Sequence, residues 1–590
     1  MKSSLKSTVD PTRIVPMQPE LPLIGDRDGA NGNDSPPAKP VKTGASHGSA
    51  FTERGFQATI AALHEEIRAL YTADPAPWII GYSGGKDSTA TLQLVWSAIA
   101  DLPPEQRRKP VHVISTDTLV ENPIVAAWVA TSLEVMQRAA AEQEMPVRPR
   151  RLTPKIANSF WVNLIGRGYP APRHKFRWCT ERLKIQPSNA FINSIVSSSG
   201  EAILVLGTRK AESSRRAATM NKHEKGRVRD RLSPNASLPG SLVYTPIEDW
   251  SNDDVWFFLM QARNPWGYNN RDLLGMYAGA SADGECPLVV DDTTPSCGSS
   301  RFGCWVCTLV EKDKSMTAMI QNDEEKEWMM PLLEIRNALD FRGDHPAGED
   351  SEGTDRHLRD FRRMSGAVQL MANGRPIPGP YTQEARHNWL TRLLAAQTWI
   401  RRNGPPDVRG IELITLEELQ EIRRIWVVDK HELEDALPRL YREATGETYP
   451  GRPLDDNRAL GEPEMRELEE LCTGDRLHYE LTRELLSLTQ QQRTMARRAG
   501  LFDRLEKAFR RHFYDDREDA LARAQHRANE RQRPASERKD RAFSQITEGA
   551  ADALELAQGG EGHRIESSPF QKGGLRDSVN VLDFSMERRP

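Results

Sequence analysis

The chain has 590 residues, of which 38% are hydrophobic and 28% are charged, and its formal net charge is −4. This length exceeds that of one ordinary domain. The charge gives no overall attraction to nucleic acid, so any such surface has to be local. The N-terminal residues lack the apolar stretch of a secretory signal, and the sequence contains no apolar run long enough to span a membrane. We therefore expect a cytoplasmic protein with no membrane partner.

Composition and hydrophobic periodicity divide the chain into five predicted parts. Residues 1–50 and 546–590 are polar and lack periodicity, and we predict that both tails are disordered. Residues 51–260 alternate strand-like and helix-like patterns, which predicts an α/β domain. Residues 261–345 contain a group of cysteines, and residues 346–545 show repeated amphipathic helix patterns. We therefore expect a cysteine-cluster module and then a mainly helical C-terminal region.

The segment at residues 78–89, WIIGYSGGKDST, has the pattern of a strand, a glycine turn and a helix start. The two glycines let backbone N–H groups point into the turn, the lysine adds a positive charge, and a helix N-terminus favours anions. The spacing S-G-G-x-D-S differs from the Walker A pattern and resembles the PP-loop of the ATP pyrophosphatases. That resemblance implies binding of the β- and γ-phosphates of ATP. The predicted nucleotide-binding residues here are Ser83, Gly84, Gly85, Lys86, Asp87, Ser88 and Thr89.

A polar cluster follows the second predicted strand, residues 111–115. Asp117 and Thr118 come directly after it, at the carboxyl end where open α/β sheets bind ligands. Either side chain could instead cap the next helix by accepting hydrogen bonds from its backbone N–H groups. Nucleotide contact and helix capping therefore both remain open for Asp117.

Residues 148–184 contain ten Lys or Arg residues and one acidic residue, Glu181, interleaved with aromatic side chains. This composition suits a phosphate backbone with unstacked bases, and it equally suits a solvated surface. Cys179 lies in this segment, within RWCTERLK. We expect the neighbouring guanidinium groups to lower its thiol pKa and to favour the thiolate.

The motif AILVLGTRKAESSRR places another charged cluster after a strand. The predicted strand, residues 202–206, ends at Gly207, and Arg209, Arg215 and Arg216 follow. These groups would lie at the carboxyl edge of the sheet and neutralise charge developing on phosphates. We predict Arg209 as catalytic, with Gly207, Arg215 and Arg216 as further nucleotide-binding residues. Residues 220–231 continue basic and are predicted to form a loop.

Five motifs in one order resemble the phosphoadenosine phosphosulfate reductase family: SGGKDS, DTxxENP, RWCTERLK, LGTRxxESxRR and PIxDWSxxDVWxFL. Together they cover about residues 79–259. The resemblance implies an adenine-nucleotide-binding fold like that of the adenine nucleotide alpha-hydrolases. The predicted fold class is therefore α/β, a doubly wound parallel sheet, with a cysteine-cluster module and a mainly helical C-terminal region.

The cysteine group is Cys286, Cys297, Cys304 and Cys307, spaced C-x10-C-x6-C-x2-C. Four thiolates with one C-x-x-C pair can hold tetrahedral zinc or an iron–sulfur cluster, and the spacing alone leaves both open. The spacing resembles the DNA phosphorothioation branch of the same family, which implies a 4Fe–4S cluster. A single cysteine, Cys179, stands at the RWCT position where cluster-bearing reductases have a pair. It either joins the cluster or carries sulfur, and we favour sulfur transfer.

The resemblance implies an ATP pyrophosphatase and sulfurtransferase that adenylates a DNA backbone phosphate, so that sulfur replaces a non-bridging oxygen. The predicted catalytic residues are Lys86, Asp87, Cys179 and Arg209, and Asp87 is also a candidate ligand for Mg²⁺. The resemblance implies three partners: the DNA backbone, a cysteine desulfurase as sulfur donor, and other phosphorothioation proteins. Alternatives are an adenylyl or phosphoadenylyl sulfate reductase, a transfer-RNA thiolation enzyme, and a non-catalytic nucleotide-binding scaffold.

Overall fold

The structure is a computed structural model that describes residues 49–174, 176–227, 229, 231–235, 237–281, 302–341, 355–454, 460–492 and 500–532. All of these residues fall within one compact unit. The predicted disordered tails lie outside the described residues, apart from Ser49 and Ala50. Cys286 and Cys297 also lie outside them.

The described residues contain a six-stranded sheet with the order β3-β2-β1-β4-β6-β5. Its strands are β1 Trp78–Gly81, β2 Val111–Thr116, β3 Val147–Leu152, β4 Ala202–Val205, β5 Ser233–Pro234 and β6 Ser241–Tyr244. Neighbouring strands pair in parallel except β5, which is antiparallel to β6. The strand order reverses between β1 and β4, where open α/β sheets form a crevice. The predicted doubly wound parallel sheet is confirmed.

Helices cover both faces of this sheet. The helices are α1 Phe56–Thr72, α2 Lys86–Ala100, α3 Pro123–Glu142, α4 Gln186–Ser199, α5 Ser214–Glu224, α6 Asn252–Gln261, α7 Asn270–Gly279, α8 Lys314–Asn322, α9 Met330–Leu339, α10 Gln383–Asn403, α11 Leu416–Arg424, α12 Leu437–Thr445, α13 Glu462–Leu471, α14 Arg476–Gln491, α15 Leu501–His512 and α16 Arg517–Gln532. Side chains of α1, α2, α3 and α6 form the core on one face, and α4 packs on the other. The predicted helical C-terminal region is also confirmed.

Strand β1 shows why the sheet has two covered faces. Trp78 and Ile80 belong to the core beneath α1 and α2, whereas Ile79 packs on the opposite face against Ile192 of α4. Successive side chains of a strand point to opposite faces, so a strand buried on both sides needs a continuous apolar run. The sequence has this run directly before the glycine turn.

A third core joins three distant parts of the chain. It contains residues 160–165, which precede α4, Trp305 near the cysteine pair, and Trp426 from the C-terminal helical region. The Trp426 indole N–H donates to the Ile165 carbonyl at 3.0 Å, and the Trp161 indole N–H donates to the Leu413 carbonyl at 2.8 Å. The aromatic residues of the basic segment are thus largely interior packing groups. Strand β3, which begins that segment, was not predicted.

A helix that crosses a membrane has to be both long and apolar. Across the described ranges, no helix is both long enough and apolar enough to cross a bilayer. Helices α10, α11 and α12 of the C-terminal region instead bury one side in the third core.

Candidate nucleotide site and cysteine site

A cavity of about 800 Å³ lies at the carboxyl ends of β1, β2 and β4. Its volume is within the range of small-molecule sites, and its position is the crevice expected where the strand order reverses. Several predicted site residues line it: Ser83, Gly85, Lys86, Asp87, Asp117 and Arg209. These six residues therefore lie together along one cavity.

The turn between β1 and α2 forms the deep end of this cavity. Gly84 has a φ of +74°, and a Cβ at this position would lie 2.5 Å from Val129 Cγ2, so a larger residue would be both strained and crowded. The Ser83 and Ser88 hydroxyls are 3.1 Å apart, and Ser88 donates to the Gly85 carbonyl at 3.0 Å. Helix α2 begins without a side-chain cap. Its positive N-terminal end is therefore available to an anion that binds in the turn.

Three of the predicted nucleotide-binding residues lie behind the turn and do not line the cavity. Ser88 and Thr89 are buried in the first turn of α2. Gly207 lies against the same turn, since a Cβ there would be 2.7 Å from the Asp87 carbonyl oxygen. These three residues shape the site without lining the cavity.

Asp87 connects the turn to the segment after β4. Its Oδ1 accepts from Arg209 Nε at 2.7 Å, and its Oδ2 accepts from Lys86 Nζ at 3.3 Å. Arg209 is only 5% exposed and also donates to the Trp250 carbonyl at 3.2 Å. The carboxylate therefore positions Lys86 and Arg209, two of the cations that line the cavity.

Asp87 could contribute one oxygen to a magnesium ion. Asp87 Oδ1 is held closely by Arg209, whereas its Oδ2 has only the longer contact with Lys86. One carboxylate oxygen can complete the shell of a Mg²⁺ that is otherwise held by phosphates and water. Asp87 fits a magnesium ion in this limited way.

Asp117 lies in the cavity wall and does not cap α3. Its Oδ1 accepts from the Leu119 N–H at 2.7 Å, and its Oδ2 is paired with Arg151 at the end of β3. The cap of α3 is Asn122, whose Oδ1 accepts from Ile124 N at 3.0 Å. The capping alternative for Asp117 is therefore wrong.

A cysteine site adjoins the other end of the cavity. Cys304 Sγ lies 3.3 Å from the Thr118 hydroxyl and 3.7 Å from Glu121 Oε1, and Lys184 Nζ pairs with the same Glu121 oxygen at 3.2 Å. Burial, and then the Glu121 carboxylate, raise the pKa of Cys304 to about 12. The thiol therefore keeps its proton at neutral pH unless a metal ion replaces it. Glu121 and Lys184 both line the cavity.

Cys304 and Cys307 fit the C-x-x-C half of a four-thiolate site. The Cys307 N–H donates to the Cys304 carbonyl at 3.0 Å, which closes a tight turn. Cys286 and Cys297 lie outside the described residues. Among the residues that are described, no group of three or more His, Cys, Asp or Glu side chains could hold a metal ion.

The predicted low pKa of Cys179 is wrong. Burial is the largest influence and raises the pKa of this half-buried thiol. Two cations that flank it in sequence are engaged elsewhere, since Arg182 donates to Asn158 at 2.8 Å and Lys184 pairs with Glu121. The cations next to Cys179 in the sequence therefore do not lower the pKa of its thiol.

Arg215 and Arg216 lie on α5 and do not line the cavity. Arg216 forms an ion pair with Glu212, which does line it. The loop prediction for residues 220–231 is wrong in part, because α5 continues to Glu224. Helix α5 therefore stands beside the cavity.

Several lining residues were missed by the sequence analysis: Glu121, Arg151, Lys184, Tyr277 and Phe302. Glu121 follows β2, and Lys184 lies within RWCTERLK. The motifs could therefore have indicated both residues as part of the site. No motif marks Tyr277, because it belongs to α7 and reaches the turn only in the folded structure. There its hydroxyl accepts a hydrogen bond from the Lys86 backbone N–H at 3.4 Å. Its ring packs at 4.6 Å on Phe302.

The fold and the turn define a nucleotide-binding domain of the PP-loop class. Residues 77–309 match the family model described as the phosphoadenosine phosphosulfate reductase domain, which is less than half of the chain. This part of the chain is therefore similar to the phosphoadenosine phosphosulfate reductase domain.

Two individual proteins are similar to parts of the chain. An uncharacterized protein of Methanocaldococcus jannaschii is 26% identical over 200 residues, 34% of this chain and 35% of that protein. The match thus spans about a third of the relative's length. The crystal structure of Candida glabrata FMN adenylyltransferase with FAD and inorganic pyrophosphate matches 43% of this chain and 74% of that chain, at 11% identity and a TM-score of 0.22. A score this low carries no argument.

Proposed function

We propose that the protein is an ATP pyrophosphatase and sulfurtransferase of DNA phosphorothioation. The observation that supports this function is a single cavity lined by Lys86 at one end and by Glu121 and Lys184, the neighbours of Cys304, at the other. Nucleotide chemistry and thiol chemistry would therefore share one enclosed space. The motif and cysteine spacing that led to this proposal resemble the phosphorothioation protein DndC.

The first step is adenylation of a DNA phosphate. A non-bridging phosphate oxygen attacks the α-phosphorus of ATP, the new P–O bond forms, the α,β-anhydride bond breaks, and pyrophosphate leaves. Lys86 and the backbone N–H groups of the turn bind the departing pyrophosphate. Asp87 orients Lys86 and Arg209 and offers one oxygen to Mg²⁺.

The second step is displacement by sulfur. A cysteine desulfurase loads Cys179 with a persulfide, whose outer sulfur attacks the DNA phosphorus. The P–S bond forms and the P–O bond to AMP breaks, so AMP carries away the replaced oxygen. A thiol co-reactant then reduces the S–S bond that remains between Cys179 and the DNA sulfur.

The cysteines Cys286, Cys297, Cys304 and Cys307 would hold a 4Fe–4S cluster. Such a cluster supplies one-electron redox chemistry when bound. The cytoplasm is the proposed compartment, because ATP and reduced thiols are present there. Other phosphorothioation proteins would assemble with this chain to present the DNA.

A second candidate is a reductase of adenylyl or phosphoadenylyl sulfate. The description of the matching family model favours it. This reaction needs no DNA, and it releases sulfite from the nucleotide-bound sulfate with a thiol as reductant. Transfer-RNA thiolation would use the same adenylation on a base carbonyl. A non-catalytic scaffold would bind ATP without cleaving it.

The test uses the full chain, purified anaerobically and analysed for iron, zinc and sulfide. It is incubated with ATP, Mg²⁺, duplex DNA, and a cysteine desulfurase with its substrate, cysteine. We expect pyrophosphate and AMP to appear in step with phosphorothioate in digested DNA. Sulfite from adenylyl sulfate, or thionucleosides in transfer RNA, would replace this function with the corresponding alternative. No release of pyrophosphate with the partner proteins present would end the proposal.

Variants identify the source of the activity. Lys86→Ala should lower pyrophosphate release by about 100-fold or more, since it removes a charge from the leaving group. Lys507→Ala is the control, because Lys507 is exposed on α15 and does not line the cavity. If Lys86→Ala and Asp87→Ala proteins both kept full modification activity in cells, the scaffold role would be supported instead.

A further inference from the structure

Helix α5 carries three exposed cations on one side. They are Arg215, Lys222 and Lys225, the last at the C-cap, and we refer to them as the α5 cation stripe. At 3.6 residues per turn, positions 215, 222 and 225 lie within one third of the helix circumference. In the part of the chain that the structure describes, none of the three side chains has an ion-pair or hydrogen-bond partner.

The next basic residues along the chain are different. Arg227 pairs with Glu248 at 2.7 Å, and Arg229 pairs with Glu201 at 2.9 Å. These arginines tie the following segment to the sheet domain. The unpaired cations are thus confined to the exposed helix, although the basic composition continues through both parts.

Helix α5 has few packing contacts, chiefly with β5 and with the turn before the helix. Its 11 residues include none that are buried. A helix of this length without a packed face is marginal in water, and helices that are polar all round usually stand beside a partner or solvent. The helix also begins two residues after Ala211 and Glu212, which line the cavity. Its N-terminus therefore lies close to the cavity, and Glu224 at its other end pairs with Lys210.

We propose that the α5 cation stripe binds the DNA backbone beside the phosphate that enters the cavity. The three cations extend over about 15 Å of helix axis. A DNA strand carries one phosphate per about 3.4 Å of its axis, so several phosphates fit along this length. This inference rests on the proposed function, because it assigns the surface that delivers its DNA substrate.

The test is DNA binding by the Lys222→Gln/Lys225→Gln double variant of the full chain. Fluorescence anisotropy with a labelled duplex is recorded over a range of salt concentrations. Two lost phosphate contacts should reduce the slope of log K against log salt by about 2 and lower affinity roughly tenfold at moderate salt. Neither lysine lines the cavity, so pyrophosphate release without DNA should be unchanged.

The matched control is the Arg108→Gln/Arg138→Gln double variant, which makes the same change in net charge. Both arginines are exposed, neither lines the cavity, and neither has an ion-pair partner within the described ranges. The control should keep the wild-type slope. An equal loss in both variants, wild-type DNA binding by the stripe variant, or tighter binding of transfer RNA than of DNA would overturn the inference.

The same experiment separates the two proposals. If the stripe variant loses DNA binding but wild-type protein never releases pyrophosphate, the docking surface stands and the proposed function fails. If wild-type protein releases pyrophosphate on DNA and the stripe variant binds DNA equally well, only the docking surface fails. A fall in ATP affinity in the stripe variant would instead assign these cations to the nucleotide site.

Discussion

The sheet core and the third core are assembled from the chain in different ways. The core beneath α1, α2, α3 and α6 comes from one continuous stretch that ends shortly before the cysteines. The third core takes residues from the segment before α4, from the cysteine pair and from the C-terminal helices. The nucleotide end of the cavity is therefore built by the sheet, whereas its cysteine end depends on helices far along the chain.

The contrast also extends to the chemistry. The nucleotide end has paired charges, with Asp87 between Lys86 and Arg209. The cysteine end has a buried thiol, Cys304, whose pKa is raised to about 12 by burial and then by Glu121. A substitution that destabilises one core should therefore disturb the end of the cavity that this core builds and leave the other end intact.

Trp426→Ala is expected to have the largest effect. Trp426 is 2% exposed and bonds to the Ile165 carbonyl, so its loss should lower the free energy of unfolding by about 3–5 kcal/mol. Hydrogen exchange should show that residues 160–165 lose protection while the backbone amides of β1 keep theirs. Trp399→Ala is the control, since Trp399 is 45% exposed on α10. Equal loss in β1 and in residues 160–165 would show that the cores are not separable.

Gly207→Ala is the corresponding change at the nucleotide end. The added Cβ would lie 2.7 Å from the Asp87 carbonyl and 2.9 Å from Thr91 Oγ1, so α2 or β4 has to shift at a cost of about 2–3 kcal/mol. Urea unfolding measures this cost. Gly275→Ala, in the middle of α7 with nothing within 4 Å, should be neutral or stabilising. Equal stability of the two variants would contradict the close packing at Gly207.

Glu480→Gln should have the smallest effect, and it should depend on pH. Burial alone would raise the pKa of Glu480, but Arg362 and then Arg476 together outweigh burial and lower the pKa to about 2 from an ordinary value of 4.5. A carboxyl with a lowered folded pKa adds stability that is complete above pH 4.5 and is lost as the pH falls to 2.

The measurement for this variant is the free energy of unfolding at a series of pH values. Glu480→Gln should cost about 1–2 kcal/mol at pH 7 and flatten the pH dependence between 4.5 and 2. Glu417→Gln, an exposed residue of α11, is the control and should leave the wild-type profile. An unchanged acid profile in Glu480→Gln would show that the Arg362 pair does not stabilise the helical region.

The PP-loop could be predicted because its geometry is local. Gly84 has a positive φ, and α2 begins two residues later at Lys86. A few neighbouring residues therefore specify both the turn and the helix start. The placement of Arg209 followed from the rule that parallel strands bring their carboxyl ends to one edge. Its contact with Asp87 could not be predicted, because the register of β4 against β1 is a property of the assembled sheet.

The cysteine end was less predictable. The sequence placed Cys179 among cations and indicated a low pKa, but burial dominates and raises it. Tyr277 reaches the PP-loop from α7 without any motif to mark it. Field strength and burial depend on which distant segments pack around a group, and neither can be read from its sequence neighbours.

The sequence by itself determined the doubly wound sheet, the anion-binding turn and the helical character of the C-terminal region, because each depends on periodicity or backbone freedom over a short stretch. Only the tertiary structure decided that Lys86 and the neighbours of Cys304 share one cavity, and that α5, which has no buried residue, begins beside it. These relations depend on long-range packing of segments hundreds of residues apart, and such packing has no local signature.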